Sequence, residues 1–540
     1  MGKPTGFLEY DRMTGRAADP KSRIKNYDEF HLPLSEKEQR CQGARCMDCG
    51  VPFCQSGVMI KGMVSGCPLN NLIPEWNDLV YTGTWDQAYN RLKKTNSFPE
   101  FTSRVCPAPC EAACTCGLNG TPVAIKENEG AIIRRAYETG IAGPKPPKIR
   151  TGKTVAVIGG GPGGLSAAYY LALMGHSVTV FEKRKALGGM LRYGIPDYRF
   201  PRTLLDAEIA SILSLGITVR TEVNVGVDVT LDQLKQEYDC LYLAIGAHTD
   251  KKTGIEGENS RGVVSAVELL RGIGDGEVPD FTGKRVVVIG GGNVAMDVTR
   301  SAIRLGADRV TCVYRRRKED MTALPEEVEG AEAEGAELLT LHAPVRIESD
   351  DSGAAVALWT QPQIIGEMDR QGRPKPGTAR AAEHRVEADV IIVAIGQGVE
   401  SLGFEQSGVV IQRGGTLLAG SDTRLPDLEG VFAGGDCVTG PATVIRAIAA
   451  GKAAAANIDE YLGFHHEIAS AVRVPAPRFS DLKPRGRVNT TERDACERKH
   501  DFTCIECGLT AEEAEQESSR CLRCDHFGYG VFKGGRVEKW

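Results

Sequence analysis

The sequence contains no long apolar run, no apolar signal core and no long basic stretch. No window approaches the roughly 18 uninterrupted apolar residues that a membrane-spanning helix needs. The N-terminal segment MGKPTGFLEYDR lacks the apolar core of a secretory signal. The formal net charge of −6 disfavours a nucleic-acid partner. These absences predict a cytoplasmic protein that has neither a membrane nor a nucleic acid as its partner.

Cysteine is scarce in the long middle of the chain, where only Cys240, Cys312 and Cys437 occur. The other fourteen of the 17 cysteines lie in two terminal patches. Disulfide scaffolds are typical of much shorter secreted chains. Gaps of two, three and four residues between cysteines in a reducing compartment indicate metal ligation, and disulfide bonds are the alternative.

The 540 residues predict about three domains. The first is cysteine-rich and helical, with a helix expected from Leu79 to Lys94. From residue 153 a strand, a glycine turn, a helix and a strand follow one another, and residues 285–317 repeat this unit. Short strands at 241–247 and 390–397 each follow one unit. The pattern predicts an α/β fold with two doubly wound dinucleotide-binding domains, the second inserted within the first.

These predictions divide the chain into five parts. Residues 1–150 form a helical cysteine-rich domain, and residues 151–280 form the first part of one dinucleotide-binding domain. Residues 281–398 form the inserted second dinucleotide-binding domain, and residues 399–465 complete the first. Residues 466–540 form a linker with a cysteine-rich extension. A helix is expected from Ala442 to Leu462.

The C-terminal extension echoes the N-terminal patch. LTAEEAEQESSRCLRC (509–524) aligns without gaps with LSEKEQRCQGARCMDC (34–49). Ser35 with Glu38, and Thr510 with Glu513, each predict a capping box, so each helix delivers a Cys-x-x-Cys from its C-terminal end. The extension suits zinc or a third iron–sulfur cluster, and the repeat favours iron, with the ligands Cys504, Cys507, Cys521 and Cys524.

The first glycine fingerprint is Gly159-x-Gly161-x-x-Gly164. Its glycines allow a tight turn and close approach of the backbone to a pyrophosphate at a helix N-terminus. Glu182 ends the next strand, where a carboxylate is expected to accept hydrogen bonds from a ribose. A later Gly-Gly-Asp favours FAD, and the alternative is that its acid only caps the following helix. The further FAD-binding candidates are Gly189, Gly434, Gly435 and Asp436.

The second fingerprint is Gly290-x-Gly292-x-x-Ala295, with Asn293 as a further candidate in the turn. No acid ends its second strand; Arg315 and Arg316 stand there instead. Guanidinium groups suit the 2′-phosphate of NADPH, which a carboxylate would repel. A solvated basic turn is the alternative. Hydride transfer needs no acid or base from a side chain, so we predict no catalytic side chain.

The N-terminal cysteines have spacings typical of cluster ligands. Cys46-x-x-Cys49-x4-Cys54 can wrap one cluster, and the Cys-Pro at 67–68 is typical of ferredoxins. Cysteines at four-residue steps supply three more candidates, Cys106, Cys110 and Cys114. Zinc is the alternative, but so many cysteines beside a flavin domain favour iron–sulfur clusters.

Four passages carry a specific resemblance: MGKPTGFLEY, RCMDCGVPFC, CPLNNLIPEWNDLVYTGTW and NSFPEFTSRVCPAPCEAAC. They resemble the small (β) subunit of bacterial glutamate synthase over about residues 1–465. With the related half of dihydropyrimidine dehydrogenase, this resemblance implies two [4Fe-4S] clusters. It assigns Cys46, Cys49, Cys54 and Cys114 to one cluster. It assigns the other to Cys67, Cys106, Cys110 and Glu129, for which a carboxylate on a surface helix is the alternative. Cys41 and Cys116 are left as spectators.

The resemblance is not uniform. The small subunit usually has aspartate in place of Asn293, and usually lacks the passages at 320–338 and 432–451. These are similar to the large subunit of the electron-bifurcating NADH-dependent ferredoxin:NADP oxidoreductase.

The sequence therefore predicts an NADPH-dependent flavin and iron–sulfur oxidoreductase. We expect an electron-input subunit that passes electrons from NADPH through FAD and [4Fe-4S] clusters to a partner. The favoured partner is the large glutamate synthase subunit, which makes glutamate from glutamine and 2-oxoglutarate. The alternative is a flavin subunit of a ferredoxin-linked bifurcating transhydrogenase or hydrogenase complex. An assembly module with structural cofactors is a third reading, disfavoured by two intact fingerprints.

Overall fold

The N-terminal part is built mainly from short helices around the cysteines. The computed structural model describes residues 3–57, 59–60, 63–64, 66–118, 120–368, 374–401, 403–467 and 485–521. The elements of this part are α1 Gly6–Glu9, β1 Arg16–Ala17, α2 Pro20–Arg23, β2 His31–Leu32, α3 Glu36–Ala44, β3 Met59–Ile60, β4 Met63–Val64, α4 Ile73–Thr82, α5 Trp85–Lys93, α6 Pro99–Val105, α7 Pro109–Ala112 and α8 Ile125–Glu138.

The helical stretch predicted from Leu79 to Lys94 is divided between two helices. Helix α4 ends at Thr82, and Gly83 follows with φ of +79°, a left-handed conformation that terminates helices. Helix α5 then begins at Trp85. Gly83 therefore separates two helices that contact each other, and both bury their apolar faces in the N-terminal core.

The first nucleotide-binding unit follows an irregular segment. Its elements are β5 Thr154–Ile158, α9 Pro162–Leu173, β6 Ser177–Glu182, α10 Met190–Tyr193, α11 Arg202–Leu213, β7 Thr218–Thr221, α12 Leu231–Glu237, β8 Cys240–Leu243 and β9 Thr249–Asp250. The strands form a parallel sheet of order β20-β8-β5-β6-β7, in which β20 (Val431–Ala433) arrives from much later in the chain. Parallel strands buried on both faces explain the continuous apolar runs.

The second unit lies between β9 and β20. Its elements are β10 Val263–Ser265, α13 Ala266–Gly274, β11 Arg285–Ile289, α14 Asn293–Arg304, β12 Arg309–Tyr314, α15 Pro325–Ala333, β13 Glu337–Thr340, β14 His342–Ser349, β15 Ala355–Met368, β16 Pro374–Thr378, β17 His384–Glu387, β18 Val390–Val393 and β19 Gln397–Gly398. Five strands form a parallel sheet of order β10-β18-β11-β12-β13. The α/β fold with two doubly wound units is thus confirmed.

The second unit also carries an antiparallel sheet that the sequence analysis did not predict. Strand β15 pairs with β14, β16 and β17. The chain passes from the first unit to the second at β9 and returns at β19. These two short strands pair with each other in an antiparallel ladder.

The chain closes the first unit with a short helix α16, Asp436–Thr439, and a long helix α17, Val444–Tyr461. The expected helix from Ala442 to Leu462 is therefore confirmed to within two residues at each end. Helices α9 and α17 pack so closely that only glycine fits at position 451. An added β-carbon there would lie 2.1 Å from the carbonyl oxygen of Gly163.

Within residues 485–521 of the C-terminal extension, the chain forms the helices α18 Ala495–Arg498 and α19 Ala511–Ser519. Helix α3 and helix α19 both begin with the predicted capping box, and Cys46 and Cys521 each lie two residues beyond the helix end. No helix in the described part of the chain is long and apolar enough to cross a membrane.

Buried ion pairs connect the N-terminal part to the second unit. Arg23 Nε lies 2.6 Å from Glu334 Oε1, and Arg300 Nη2 lies 2.7 Å from the same oxygen. The Glu334 carboxylate is fully buried, and such a charge is tolerated only when it is paired. The charges therefore fix how these two parts meet.

Candidate functional site

The first glycine turn joins β5 to α9. Gly159 has φ of +107°, and a β-carbon there would lie 2.4 Å from the carbonyl oxygen of Ala244. A β-carbon on Gly164 would lie 1.9 Å from the carbonyl oxygen of Gly159. Gly161 caps α9, and its added β-carbon would meet nothing of the chain closer than 3.7 Å. Gly159 and Gly164 are thus required because a side chain there would clash with the backbone. Gly161 instead leaves the N-terminus of α9 open to a phosphate.

Glu182 ends β6 beside this turn. One carboxylate oxygen accepts from the backbone N–H of Gly160 at 2.8 Å, and the other accepts from Arg184 N–H at 2.9 Å. Burial raises the pKa of Glu182, while those two N–H groups act to lower it. The side chain is therefore locked in orientation at the mouth of the turn.

A cavity of about 630 Å³ begins at this turn and extends to the second unit. Four of its lining residues are predicted FAD ligands near the carboxyl edge of the first sheet: Gly159, Gly161, Glu182 and Gly189. Gly434, Gly435 and Asp436 line it as well. The size and the glycine-lined wall fit a dinucleotide such as FAD.

Asp436 begins α16 at the cavity wall. Burial raises its pKa to about 6, although the Ala442 backbone N–H and the charge of Arg446 act in the opposite direction. Gly435, with φ of +78°, has open space where a β-carbon would stand. The segment therefore presents a carboxyl group and bare backbone to the cavity.

The second glycine turn joins β11 to α14, and Asn293 at the start of that helix lines the same cavity. A β-carbon on Gly290 would lie 2.3 Å from the carbonyl oxygen of Ala394. Gly292 caps α14, and Ala295 is fully buried in that helix. The Asn293 side-chain oxygen accepts from the backbone N–H of Leu324 at 3.0 Å. The turn has the geometry of a second dinucleotide site.

The two predicted arginines follow the end of β12. Arg315 is exposed, and Arg316 donates from Nε to the carbonyl oxygen of Pro374 at 3.0 Å. The next residue, Arg317, is paired with Asp320 at 2.9 Å. Basic side chains thus stand where a carboxylate would bind the ribose of NADH.

Two residues that the sequence analysis missed bridge the units across this cavity. Arg199 Nη1 lies 2.8 Å from Asp297 Oδ1, and both residues line the cavity. Neither belongs to a glycine fingerprint. Only their meeting in space, between the irregular segment before α11 and helix α14, reveals them.

The first cysteine set lines a second, smaller pocket. Cys46, Cys49, Cys54 and Cys114 all lie there, and Cys116 lies with them. Burial is the main reason that the pKa of Cys46 is raised to about 11 and that the pKa of Cys54 is raised well above its usual value. Cys114 is brought to the others from the far end of the N-terminal part.

The second set consists of buried Cys67, Cys106 and Cys110, together with Glu129 on α8. Burial raises the pKa of all three thiols, and the nearby charge of Glu129 raises each of them further. Burial likewise raises the pKa of Glu129 to about 7. The Glu129 carboxylate is therefore buried within electrostatic reach of these three thiols and is not on the surface.

The Glu129 carboxylate is held by two residues that the sequence analysis did not identify. Its Oε1 accepts from Asn96 Nδ2 at 2.8 Å and from the Thr102 hydroxyl. None of the described cysteines forms a disulfide. Buried thiols and a buried carboxylate are suitable ligands for a metal cluster, whose iron ions would stabilise their ionised forms.

The C-terminal cysteines are more open. Cys504 and Cys521 are exposed, Cys507 is half-buried, and Cys524 lies outside the described residues. The backbone N–H of Cys507 donates to the Thr491 carbonyl oxygen at 2.7 Å. This backbone hydrogen bond ties the Cys504–Cys507 turn to the segment at Thr491.

Comparisons with known proteins agree with this geometry. Residues 153–451 match the family described as pyridine nucleotide-disulphide oxidoreductase. Residues 23–141 match the family described as dihydropyrimidine dehydrogenase domain II, 4Fe-4S cluster.

Three relatives show how far the similarity extends. The glutamate synthase (NADPH) small chain of Bacillus subtilis is 38% identical over 86% of this chain and 99% of its own length. The corresponding Escherichia coli protein is 34% identical over 84% of this chain and 98% of its own. The NADP(+)-dependent formate dehydrogenase subunit beta of Moorella thermoacetica is 35% identical over 87% and 71%, respectively. The predicted resemblance is confirmed, and the chain belongs to the family of glutamate synthase small chains.

Proposed function

We propose that this chain is the NADPH-oxidising electron-input subunit of a larger redox enzyme. One observation carries the proposal: Val105 and Pro107, which flank Cys106, form part of the wall of the large cavity. A cluster ligand thus borders the space that fits the flavin. Bound FAD and [4Fe-4S] clusters supply the conversion of a two-electron hydride into single electrons.

The chain's own residues orient these groups. The first glycine turn, Glu182 and Asp436 would hold FAD, and the second turn with Arg315 and Arg316 would hold NADPH. The proposal includes two [4Fe-4S] clusters with the ligand sets given above, Glu129 completing the second. It also includes a third iron–sulfur cluster or zinc in the extension, and the five-part domain division.

Burial supports a direction for the electrons. The set of Cys67, Cys106 and Cys110 is buried, and Val105 and Pro107 on either side of Cys106 line the flavin cavity. In the first set, Cys49 and Cys114 are only half-buried, and Asp48 beside Cys49 is exposed. Electrons therefore enter through the second set and leave through the first, toward a partner docked near Cys49. We place the protein in the cytoplasm, where thiolate ligands stay reduced.

The favoured partner is a large glutamate synthase subunit, since small-chain relatives align over nearly their whole length. The alternative is a different redox complex, such as one with a ferredoxin-linked or hydrogenase partner. The similarity to a formate dehydrogenase beta subunit supports this alternative complex. The described extension at 485–521 is consistent with such a different partner.

Affinity purification of the full chain from its own cells, under anaerobic conditions, tests the partner. Recovery of a chain with glutaminase and FMN domains supports the glutamate synthase assignment. Recovery of a dehydrogenase or hydrogenase chain instead supports the alternative. Chain that is purified alone and fails to pass electrons from NADPH to an artificial acceptor would contradict both.

Nucleotide preference depends on the two arginines. Arg315→Ser combined with Arg316→Ser should raise KM for NADPH about 10- to 100-fold, because hydrogen bonds to a charged phosphate contribute roughly 1.5–3 kcal/mol. KM for NADH should hardly change. Steady-state kinetics with an artificial acceptor measure both values. Arg317→Ser is the matched control, because that arginine already pairs with Asp320. An unchanged KM for NADPH would refute the assignment.

A further inference from the structure

We propose that His176, Asp459 and His466 form a binding site for a divalent transition metal of the zinc class. The site is separate from the cysteine sets and from the nucleotide cavity. His176 begins the turn into β6, Asp459 lies near the end of α17, and His466 lies beyond that helix. Residues nearly three hundred positions apart are thus brought to one point at the end of the flavin-binding unit.

The three side chains converge on a single carboxylate oxygen. Asp459 Oδ1 lies 2.9 Å from His176 Nε2 and 2.7 Å from His466 Nδ1. All three ligand atoms lie within 4.8 Å of one another. Within the described ranges, no other group of three His, Cys, Asp or Glu side chains meets that condition.

Neighbouring groups hold the two buried ligands in orientation. The other ring nitrogen of His176, Nδ1, faces the Thr151 hydroxyl at 2.8 Å. The other carboxylate oxygen of Asp459, Oδ2, accepts from the backbone N–H of His466 at 2.8 Å. Metal-binding imidazoles and carboxylates are commonly fixed by such outer hydrogen bonds. Each ligand therefore directs one specific atom at the centre.

The ligand set and its burial favour a metal of this class. Two neutral imidazoles and one carboxylate are typical zinc ligands and leave a fourth position for water. The side chains of His176 and Asp459 are 0% and 2% exposed, whereas that of His466 is 43% exposed. The centre is thus open to solvent on one side only, that of His466.

Insertion of an ion requires a small movement. Bond lengths of about 2.0–2.1 Å place neighbouring ligand atoms of a tetrahedral zinc site roughly 3.3 Å apart. The present separations are about half an ångström shorter, at hydrogen-bond distance. His466 lies on the short segment after α17 and is half-exposed, so its ring can move outward. The metal then replaces the two direct histidine–aspartate hydrogen bonds.

Such a metal would fasten the end of the flavin-binding unit. The Phe464 ring stacks on His466, with centroids 5.6 Å apart, and meets the edge of His176 at 5.5 Å. The ligands therefore tie the segment after α17 to the start of β6. The C-terminal extension continues from this point, so the metal would fix where the extension begins.

Zinc content and zinc X-ray absorption of the full chain test the site. The protein is purified anaerobically with its clusters, incubated with Zn²⁺ alone and desalted. We expect about one zinc with nitrogen and oxygen neighbours near 2.0–2.1 Å, a distance that separates it from any zinc held by cysteine sulfur near 2.3 Å. His466→Gln should lose this zinc. His465→Gln, at the adjacent exposed histidine, should keep it.

Asp459→Asn provides a second variant, and FAD content and Tm report folding of each protein. Loss of the nitrogen- and oxygen-bound zinc in both ligand variants, with FAD retained, supports the site. Wild-type protein with no such zinc would mean that the triad is held by hydrogen bonds only. Full zinc content in His466→Gln would also overturn the proposal.

Discussion

Cys106→Ala should remove about four irons per chain and abolish electron delivery beyond the flavin. Cys106 is 7% exposed, and its neighbours Val105 and Pro107 line the nucleotide cavity. Loss of one thiolate from a set of three cysteines and a carboxylate leaves too few ligands for a stable four-iron cluster. Reduction of a partner or of a one-electron acceptor should fall at least about 100-fold, while NADPH still bleaches the bound flavin.

Iron and acid-labile sulfide analysis, together with stopped-flow absorption, measure these effects. Cys41→Ala is the control, since Cys41 is a half-buried residue of α3 outside both sets. FAD content and Tm distinguish loss of a cluster from loss of the fold. Normal iron content with normal onward electron transfer in Cys106→Ala would contradict the proposed ligand set and route.

Gly161→Ala should weaken FAD binding roughly 10- to 100-fold and leave the fold intact. The Gly161 backbone, at φ −80° and ψ −177°, is accessible to alanine. The added methyl would approach no atom of the chain closer than 3.7 Å. It would stand at the N-terminus of α9, where the pyrophosphate needs close contact. An intruding methyl group typically costs about 1–3 kcal/mol.

Fluorescence titration of apoprotein with FAD measures the affinity, and Tm of the apoprotein reports the fold. Gly486→Ala is the neutral control, because an added β-carbon meets nothing within 4 Å there. Gly164→Ala is the opposite control: its β-carbon would lie 1.9 Å from the Gly159 oxygen, so Tm should fall as well. Unchanged FAD affinity in Gly161→Ala would place the pyrophosphate elsewhere.

Features encoded in short segments were predictable from the sequence. Both glycine turns, the short strands after them and both capping boxes lie within a few residues of the pattern that predicts them. The helix break at Gly83 could have been predicted, because a glycine is itself a helix-stop signal, and its left-handed backbone ends α4. The antiparallel sheet around β15 was missed because its pairing joins separate segments of the second unit.

Other site residues could not be predicted, because they are far apart in the sequence and meet only in the folded chain. The spacing of the cysteines does not assign Cys114 to the same cluster as Cys46. That assignment came from the resemblance to the glutamate synthase small subunit. Asn96 and Thr102, which hold Glu129, carry no motif of their own. His176 and Asp459 lie on different elements, so no sequence window contains both. Such groupings follow from packing of the whole chain and are visible only in three dimensions.

Anaerobic titration of the full chain with NADPH, followed by visible absorption, tests the central claim most directly. Protein carrying iron and FAD should lose its flavin absorption band within about one to two NADPH per flavin, since each nicotinamide supplies two electrons and the two proposed clusters can take up one electron each. NADH should achieve this only at much higher concentration. A flavin band that persists in the presence of excess NADPH, in protein with full FAD and iron content, would contradict an NADPH-oxidising input subunit.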